Sequence, residues 1–224
     1  MKKILSLLLV GVCLFATGAQ AMVVRGTGTA ALVGHDLTDP EDNGYADANV
    51  NYNATFRASF NADFAGESAF SVFDNRVGGG TDKWCCATNG WVEADFGAQR
   101  YVLTSFTAAS ANDMPGRDSD IWRILGSNDG INYTTIFDYN KDGVSPWGTT
   151  RLQVNQYFSG TDYLAPAAYS IFRYQSLSTV TPGDGHQLSE LEFFGTKAVP
   201  EPGSLALLAL GVAALCLNRR KQGR

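Results

Sequence analysis

Two pairs of side chains in this 224-residue sequence have the types and spacing for chemistry. Glu190 and Glu192 alternate along one apolar segment. In a strand both carboxylates project from one face, about 7 Å apart by strand rise. Paired carboxylates are the equipment of a glycoside hydrolase, so that enzyme is one reading. Cys85 and Cys86 are adjacent. They can close a vicinal disulfide, stay as two thiols or link to another chain. They lack the spacing of a disulfide framework or a Cys-x-x-Cys metal site. Asp138 to Gly143 copies the first half of an EF-hand loop, yet the twelfth position, which must supply a bidentate Glu, is Thr149. That stretch reads as a solvated hairpin turn. His35 and His186 are the two imidazoles of the sequence. With no Gly-x-Ser-x-Gly elbow, His-Glu-x-x-His pair or phosphate-cradling glycine loop, binding is preferred to catalysis.

The elements that must position these groups are short strands. Trp91 to Phe96 alternates and stops at Gly97. Further strands are expected over Val102–Ala108, Ile121–Gly126, Tyr133–Tyr139, Arg151–Tyr157, Ala168–Tyr174 and Gln187–Phe194, with Ser127-Asn128-Asp129-Gly130 as a turn. Strands at this spacing predict an all-β fold, an antiparallel jelly-roll β-sandwich. Gly66 to Phe73 is expected to form one or two helical turns, and residues 22–53 a polar extension with a first loose strand. Trp84, Trp91 and Trp122 sit inside strand patterns and read as core.

The two ends set the compartment. Lys2 and Lys3, an apolar run from Ile4 to Ala16 and the small-x-small site Ala19-Gln20-Ala21 form a secretory signal peptide over residues 1–21. At the other end Pro200-Glu201-Pro202 precedes an apolar segment, 205–217, and then Arg219, Arg220, Lys221 and Arg224. This three-part tail, 198–224, resembles the PEP-CTERM sorting signal of Gram-negative bacteria. The resemblance implies recognition by an exosortase-type membrane protease. The apolar helix would span roughly 20 Å against roughly 30 Å of hydrocarbon, with its basic end cytoplasmic. It reads as a transient stop at the inner membrane; a permanent tail anchor is the alternative. The chain has 17 basic and 22 acidic residues. Two basic residues belong to the signal, and four basic and one acidic to the tail, leaving 11 against 21 between them. So acidic a domain has no basic face for nucleic acid or anionic lipid.

Three stretches carry a second resemblance: Ala69 to Asn75 with Thr81-Asp82-Lys83-Trp84 and Trp91 to Gly97; Ala111 to Asp118 with Trp122 and Gly126 to Gly130; and Gly185 to Gly195. In this order they resemble a discoidin domain, the C-type domain of coagulation factors V and VIII and the fold of many galactose-binding modules, over residues 54–197. The resemblance implies a structural Ca²⁺ held by the Phe73 carbonyl, Asp74, the Asn75 carbonyl, Thr81, the Ser189 carbonyl and Glu190, oxygen donors suited to a hard cation. A hydrogen-bonded loop without metal is the alternative. It also implies a carbohydrate site in the loops. Arg117, with Asp118 beside it, falls in the matching loop and can pair with hydroxyls; the alternative is an ion pair with Asp118 or Asp120. Trp147 can stack on a pyranose or cap the sandwich. Cys85 stands where galactose-binding relatives carry a His.

The expected function is a secreted, non-catalytic protein that binds an extracellular polysaccharide at the cell surface or in the matrix. A structural matrix protein that binds protein or itself is the alternative, and the hydrolase comes third. For the tail, cleavage is expected near Pro200 to Gly203 in the native host. Intact-mass analysis of surface material checks this, and recovery of full-length, membrane-embedded protein alone would refute it.

Overall fold

Apolar alternation resolves into strands that pair antiparallel throughout. The computed structural model describes residues 22–44, 50–60 and 66–199. The signal segment, the tail motif Pro200, Glu201 and Pro202, and the apolar run 205–217 lie outside the described residues. The strands are β1 (Val23–Thr27), β2 (Thr55–Ala58), β3 (Trp84–Cys85), β4 (Trp91–Asp95), β5 (Tyr101–Ala109), β6 (Ser119–Ser127), β7 (Thr134–Asn140), β8 (Gln153–Phe158), β9 (Ile171–Thr179), β10 (Gln187–Leu188) and β11 (Glu190–Lys197). They form a four-stranded sheet, β1-β8-β5-β11, a five-stranded sheet, β2-β4-β9-β6-β7, and the small pair β10-β3. The segment Gly66 to Phe73 contains a single 3₁₀ turn, Ala69–Val72.

The inward faces follow the strand period. Val92 and Ala94, Trp122 and Ile124, and Phe172 and Tyr174 project from the larger sheet, and Leu191 and Phe193 from β11; all are buried. Aromatic contacts fill the space between. Phe106 stacks on Tyr157 at 4.9 Å, and Trp122 meets Phe137 at 5.0 Å and Tyr174 at 5.3 Å. Such offset and edge-on pairs add to the area they bury.

Two expectations change. The single strand Gln187–Phe194 is two strands, because the chain switches partner at Ser189. Gln187 and Leu188 pair with Cys85 and Trp84, whereas Glu190 onward pairs with β5 from Ala109. Trp91 is not core. It lies on the outer face of its sheet, where the Arg173 guanidinium is held between the rings of Trp91 and Tyr133, 3.8 Å from each centroid. Arg173 also pairs with Glu93 at 2.7 Å, and this cover explains a buried carboxylate on a solvent-side position.

The segment 22–44 is stitched to the sheet. β1 pairs with β8. Glu192 accepts the amides of Val33 (3.1 Å) and Gly34 (2.6 Å) and the Thr107 hydroxyl (2.7 Å). Asp36 accepts the Phe193 amide, and the Leu37 amide donates to the Phe193 carbonyl. Glu190 and Glu192 do share one face of β11, but this cover buries both. Glu192 is committed to the backbone, and the pair has no access to the water that glycoside hydrolysis consumes.

Removing the central ring should be severe. Trp122→Ala is expected to cost about 3–5 kcal/mol, lowering the calorimetric melting temperature by roughly 10 °C.

Candidate functional site

Loop 74–82 and the start of β11 bring acids together away from water. Burial of Val72 and Phe73 fixes where the loop starts. Asn75 turns it with φ 60° and donates its amide to Asp39 Oδ2 at 2.9 Å. Asp74 Oδ1, Asp82 Oδ2 and both oxygens of Glu190 are buried without a hydrogen-bond partner. Arg76 reaches Asp82 Oδ2 at only 3.8 Å, from a side chain 65% exposed, and so compensates little. Asp74, Thr81, Asp82 and Ser71 line an open cavity of about 310 Å³.

Two of these acids, Asp74 and Glu190, are harder to ionise than usual. Burial, then the charge of Asp82, pushes the Asp74 carboxyl up to about 7. Burial, then the charges of Asp74, Glu192 and Asp36, raises Glu190 well above the usual carboxylate range. Asp36 is likewise pushed up to about 7, chiefly by burial. Orphaned carboxylate oxygens are donors of the kind a hard, oxygen-binding cation takes, but among the described residues Asp74, Asp82 and Glu190 do not bring one oxygen each within 4.8 Å of the others. Of the expected donors, Asp74 is near enough to Glu190 for its charge to act on it. Thr81 lines the cavity, while Phe73, Asn75 and Ser189 supply the adjoining backbone. Asp82 is an acid the sequence reading missed, though it stood beside Thr81.

A second cluster gathers on β3, β10 and the loop before β6. Cys85 and Cys86 are joined here in a vicinal disulfide, the first of the three readings of the pair. Gln187, in register with Cys85, donates to the carbonyls of Asp113 (2.6 Å) and Met114 (3.0 Å). This holds the 3₁₀ turn Pro115–Arg117, and Arg117 Nη1 lies 3.9 Å from each sulfur. Arg117 Nε has no partner. Glu67 Oε2 is 3.8 Å from Cys86 Sγ, and Lys83 Nζ binds Asn112 and Asp113. A Cβ at Gly185 would collide with the Cys86 carbonyl, so glycine alone lets these loops close. His186 is buried against Trp84, ring centroids 4.3 Å apart, and burial pushes its pKa down to about 4. It is a neutral core residue at physiological pH.

Two expected sugar contacts fail. Asp118 is buried and takes the Arg151 guanidinium at 2.8 and 2.6 Å and the Ser145 hydroxyl at 2.5 Å. It can touch neither ligand nor Arg117. Asp120 is spent on the Gly143 amide (2.7 Å) and the Ser178 hydroxyl, so Arg117 forms no expected ion pair. Trp147 is 3% exposed, and its Nε1 donates to the Ala108 carbonyl at 3.1 Å. Its loop folds inward through Asn155, which binds the Pro146 carbonyl. Trp147 therefore caps the sandwich. Cys85 is also fully buried; Cys86 is the half-buried member of the pair. The EF-hand-like stretch is the end of β7 and a turn held by Asp120.

The PEP-CTERM protein-sorting motif matches residues 198–221, and it marks the chain for export and sorting. No curated protein matches the chain. Among solved structures, a fucolectin from striped bass (Morone saxatilis) serum is 14% identical, with 67% of this chain and 49% of that chain covered and a TM-score of 0.52. CBM62 from Clostridium thermocellum Xyl5A is 22% identical, with 65% and 96% covered and a TM-score of 0.49. CpGH89CBM32-5 from Clostridium perfringens, in complex with GalNAc-β-1,3-galactose, is 16% identical, with 64% and 96% covered and a TM-score of 0.49. At these identities the likeness, carried by the fucolectin, is one of fold alone, and it agrees with the all-β antiparallel sandwich described above. Among the described residues no helix is long and apolar enough to cross a membrane.

The buried acids set the pH dependence. Asp36 and Asp74 have folded values near 7 against an ordinary 3.8. Their stability contribution is complete below about pH 4 and is lost as pH rises through about 7, because the unfolded chain ionises first. In chelator, the melting temperature should therefore fall between pH 5 and pH 8. Added calcium should raise it by mass action, more at pH 8 than at pH 5, and Glu190→Ala should remove the response. Identical melting curves with and without calcium at pH 8 would reject the cation.

Proposed function

We propose that this chain is a secreted, non-catalytic carbohydrate-binding protein, with its sugar site at Arg117 beside the Cys85–Cys86 disulfide and a structural Ca²⁺ at Asp74, Asp82 and Glu190. The observation that carries the sugar site is the allocation of charge. Arg151 neutralises Asp118 and Arg173 neutralises Glu93, while the Arg117 guanidinium lies against the two sulfurs through Nη1, has no acidic partner among the described residues, and keeps its Nε buried and unpaired. A half-buried guanidinium with uncommitted donors suits the hydroxyls of a neutral sugar. The disulfide and Met114, 50% exposed, offer the apolar surface that sugar and cofactor pockets place beside a few polar groups. The fucolectin shares the fold, and in its name it is a sugar binder.

Export and sorting follow from the tail, which an exosortase-type protease would recognise while the apolar helix rests briefly in the inner membrane. The extracellular polysaccharide is then met at the cell surface. Calcium would fix loop 74–82, which leads directly into β3 and the disulfide.

A glycan array on the calcium-loaded mature chain tests the reading. Arg117→Ala should weaken binding about 5–30-fold, the loss of one or two typical hydrogen bonds, with the melting temperature kept. Trp147→Ala should act through the fold instead, costing about 3–5 kcal/mol of stability. Absence of any glycan signal, with concentration-dependent self-association in sedimentation, would favour a structural matrix protein.

A further inference from the structure

We infer that Cys85–Cys86 is a thiol–disulfide exchange site whose reduction by an external dithiol switches off the neighbouring sugar site. The inference rests on the sugar site proposed above. The two sulfurs are not equivalent. Cys85 is fully buried and Cys86 is half-buried, so an incoming thiolate reaches Cys86 Sγ first. The bond that breaks is Cys85–Cys86, and its electron pair leaves on Cys85. Arg117 Nη1, 3.9 Å from Cys85 Sγ, stabilises that thiolate, and exchange quickens as the leaving thiol becomes more acidic. Glu67, which also pairs with Lys83 at 3.8 Å, stands 3.8 Å from Cys86 Sγ. The second sulfur of the dithiol then attacks the mixed disulfide. Cys86 is released and takes up a proton, and the external dithiol is oxidised by two electrons to its own disulfide.

The consequence for binding follows from the same contact. In the oxidised protein the guanidinium lies on two neutral sulfurs and its other donors are uncommitted. After reduction it faces a thiolate, and a charge-assisted pair draws those donors off the sugar. The change also reaches the loop through the backbone. Cys85 is in register with Gln187, which holds the Asp113 and Met114 carbonyls at the start of the Arg117 turn. Gly185, packed so closely on the Cys86 carbonyl that a Cβ would not fit, leaves that segment no slack to absorb a shift.

The test uses the calcium-loaded mature chain equilibrated in graded ratios of reduced to oxidised dithiothreitol. The reduced fraction is read by thiol alkylation and intact mass. Affinity is measured on immobilised fucose- and galactose-terminated oligosaccharides, with near-ultraviolet circular dichroism as the fold control. Reduction should weaken binding at least tenfold, and reoxidation should restore it. The double variant Cys85→Ser/Cys86→Ser, which has neither a disulfide nor a thiolate, should bind equally at every ratio of reduced to oxidised dithiol. Arg117→Gln should make the disulfide harder to reduce by about tenfold in equilibrium constant, about 30 mV for a two-electron couple. Equal affinity in both redox states overturns the switch while leaving the sugar site standing. Absence of binding in both states refutes the sugar site, and with it the switch. An Arg117→Gln variant that reduces as readily as wild type overturns the exchange site itself, and that readout needs neither a glycan nor the serine variant.

Discussion

A group of carboxylates withdrawn from water around β11 is the constraint on which the rest of this structure turns. A buried charge is tolerable when donors surround it and expensive when nothing does. Glu192 is satisfied by two backbone amides and a threonine hydroxyl, and that satisfaction welds the segment 22–44 onto the sheet. Asp36 repeats the device on the Phe193 amide. Asp74, Asp82 and Glu190 have no such donors on their orphaned oxygens. Burial accordingly makes Asp74 and Glu190 hard to ionise. The same loop that carries Asp74 and Asp82 runs into β3, so its setting governs where Cys85 and Cys86 stand.

Arginine allocation then decides what is left to recognise a ligand. Arg151 lies against buried Asp118, and Arg173 is pinned between two aromatic rings over buried Glu93. Each neutralises an acid that the fold has hidden. Arg117 neutralises none, since its sequence neighbour Asp118 points into the domain and Asp120 is held by Gly143 and Ser178. A side chain that the fold does not consume is the one able to bind something else.

Much of the architecture was legible because it is periodic. Strands β4, β5 and β6 lie close to their expected limits, since a half-buried strand writes its two faces as alternation. Glu190 and Glu192 sit on one face as the spacing required. The split at Ser189 was not legible, because partner exchange leaves the period of two unbroken. Trp91 misled for a related reason: an outward aromatic covered by Arg173 has the same local pattern as one facing the core.

The sequence by itself determined the sorting tail, the all-β class and the acidic charge balance, all of which depend on composition or on neighbours along the chain. Tertiary structure alone decided the site. Trp147 and Asp118 have the chemistry of sugar contacts, but loop closure turned both inward, one onto the Ala108 carbonyl and the other onto Arg151. Asp74 came to act on Glu190, and Glu67 came to lie beside the disulfide, across sequence separations that no local pattern encodes. Hydrogen-bond partners are chosen by which backbone groups burial leaves unpaired. That choice exists only once the sheets have packed.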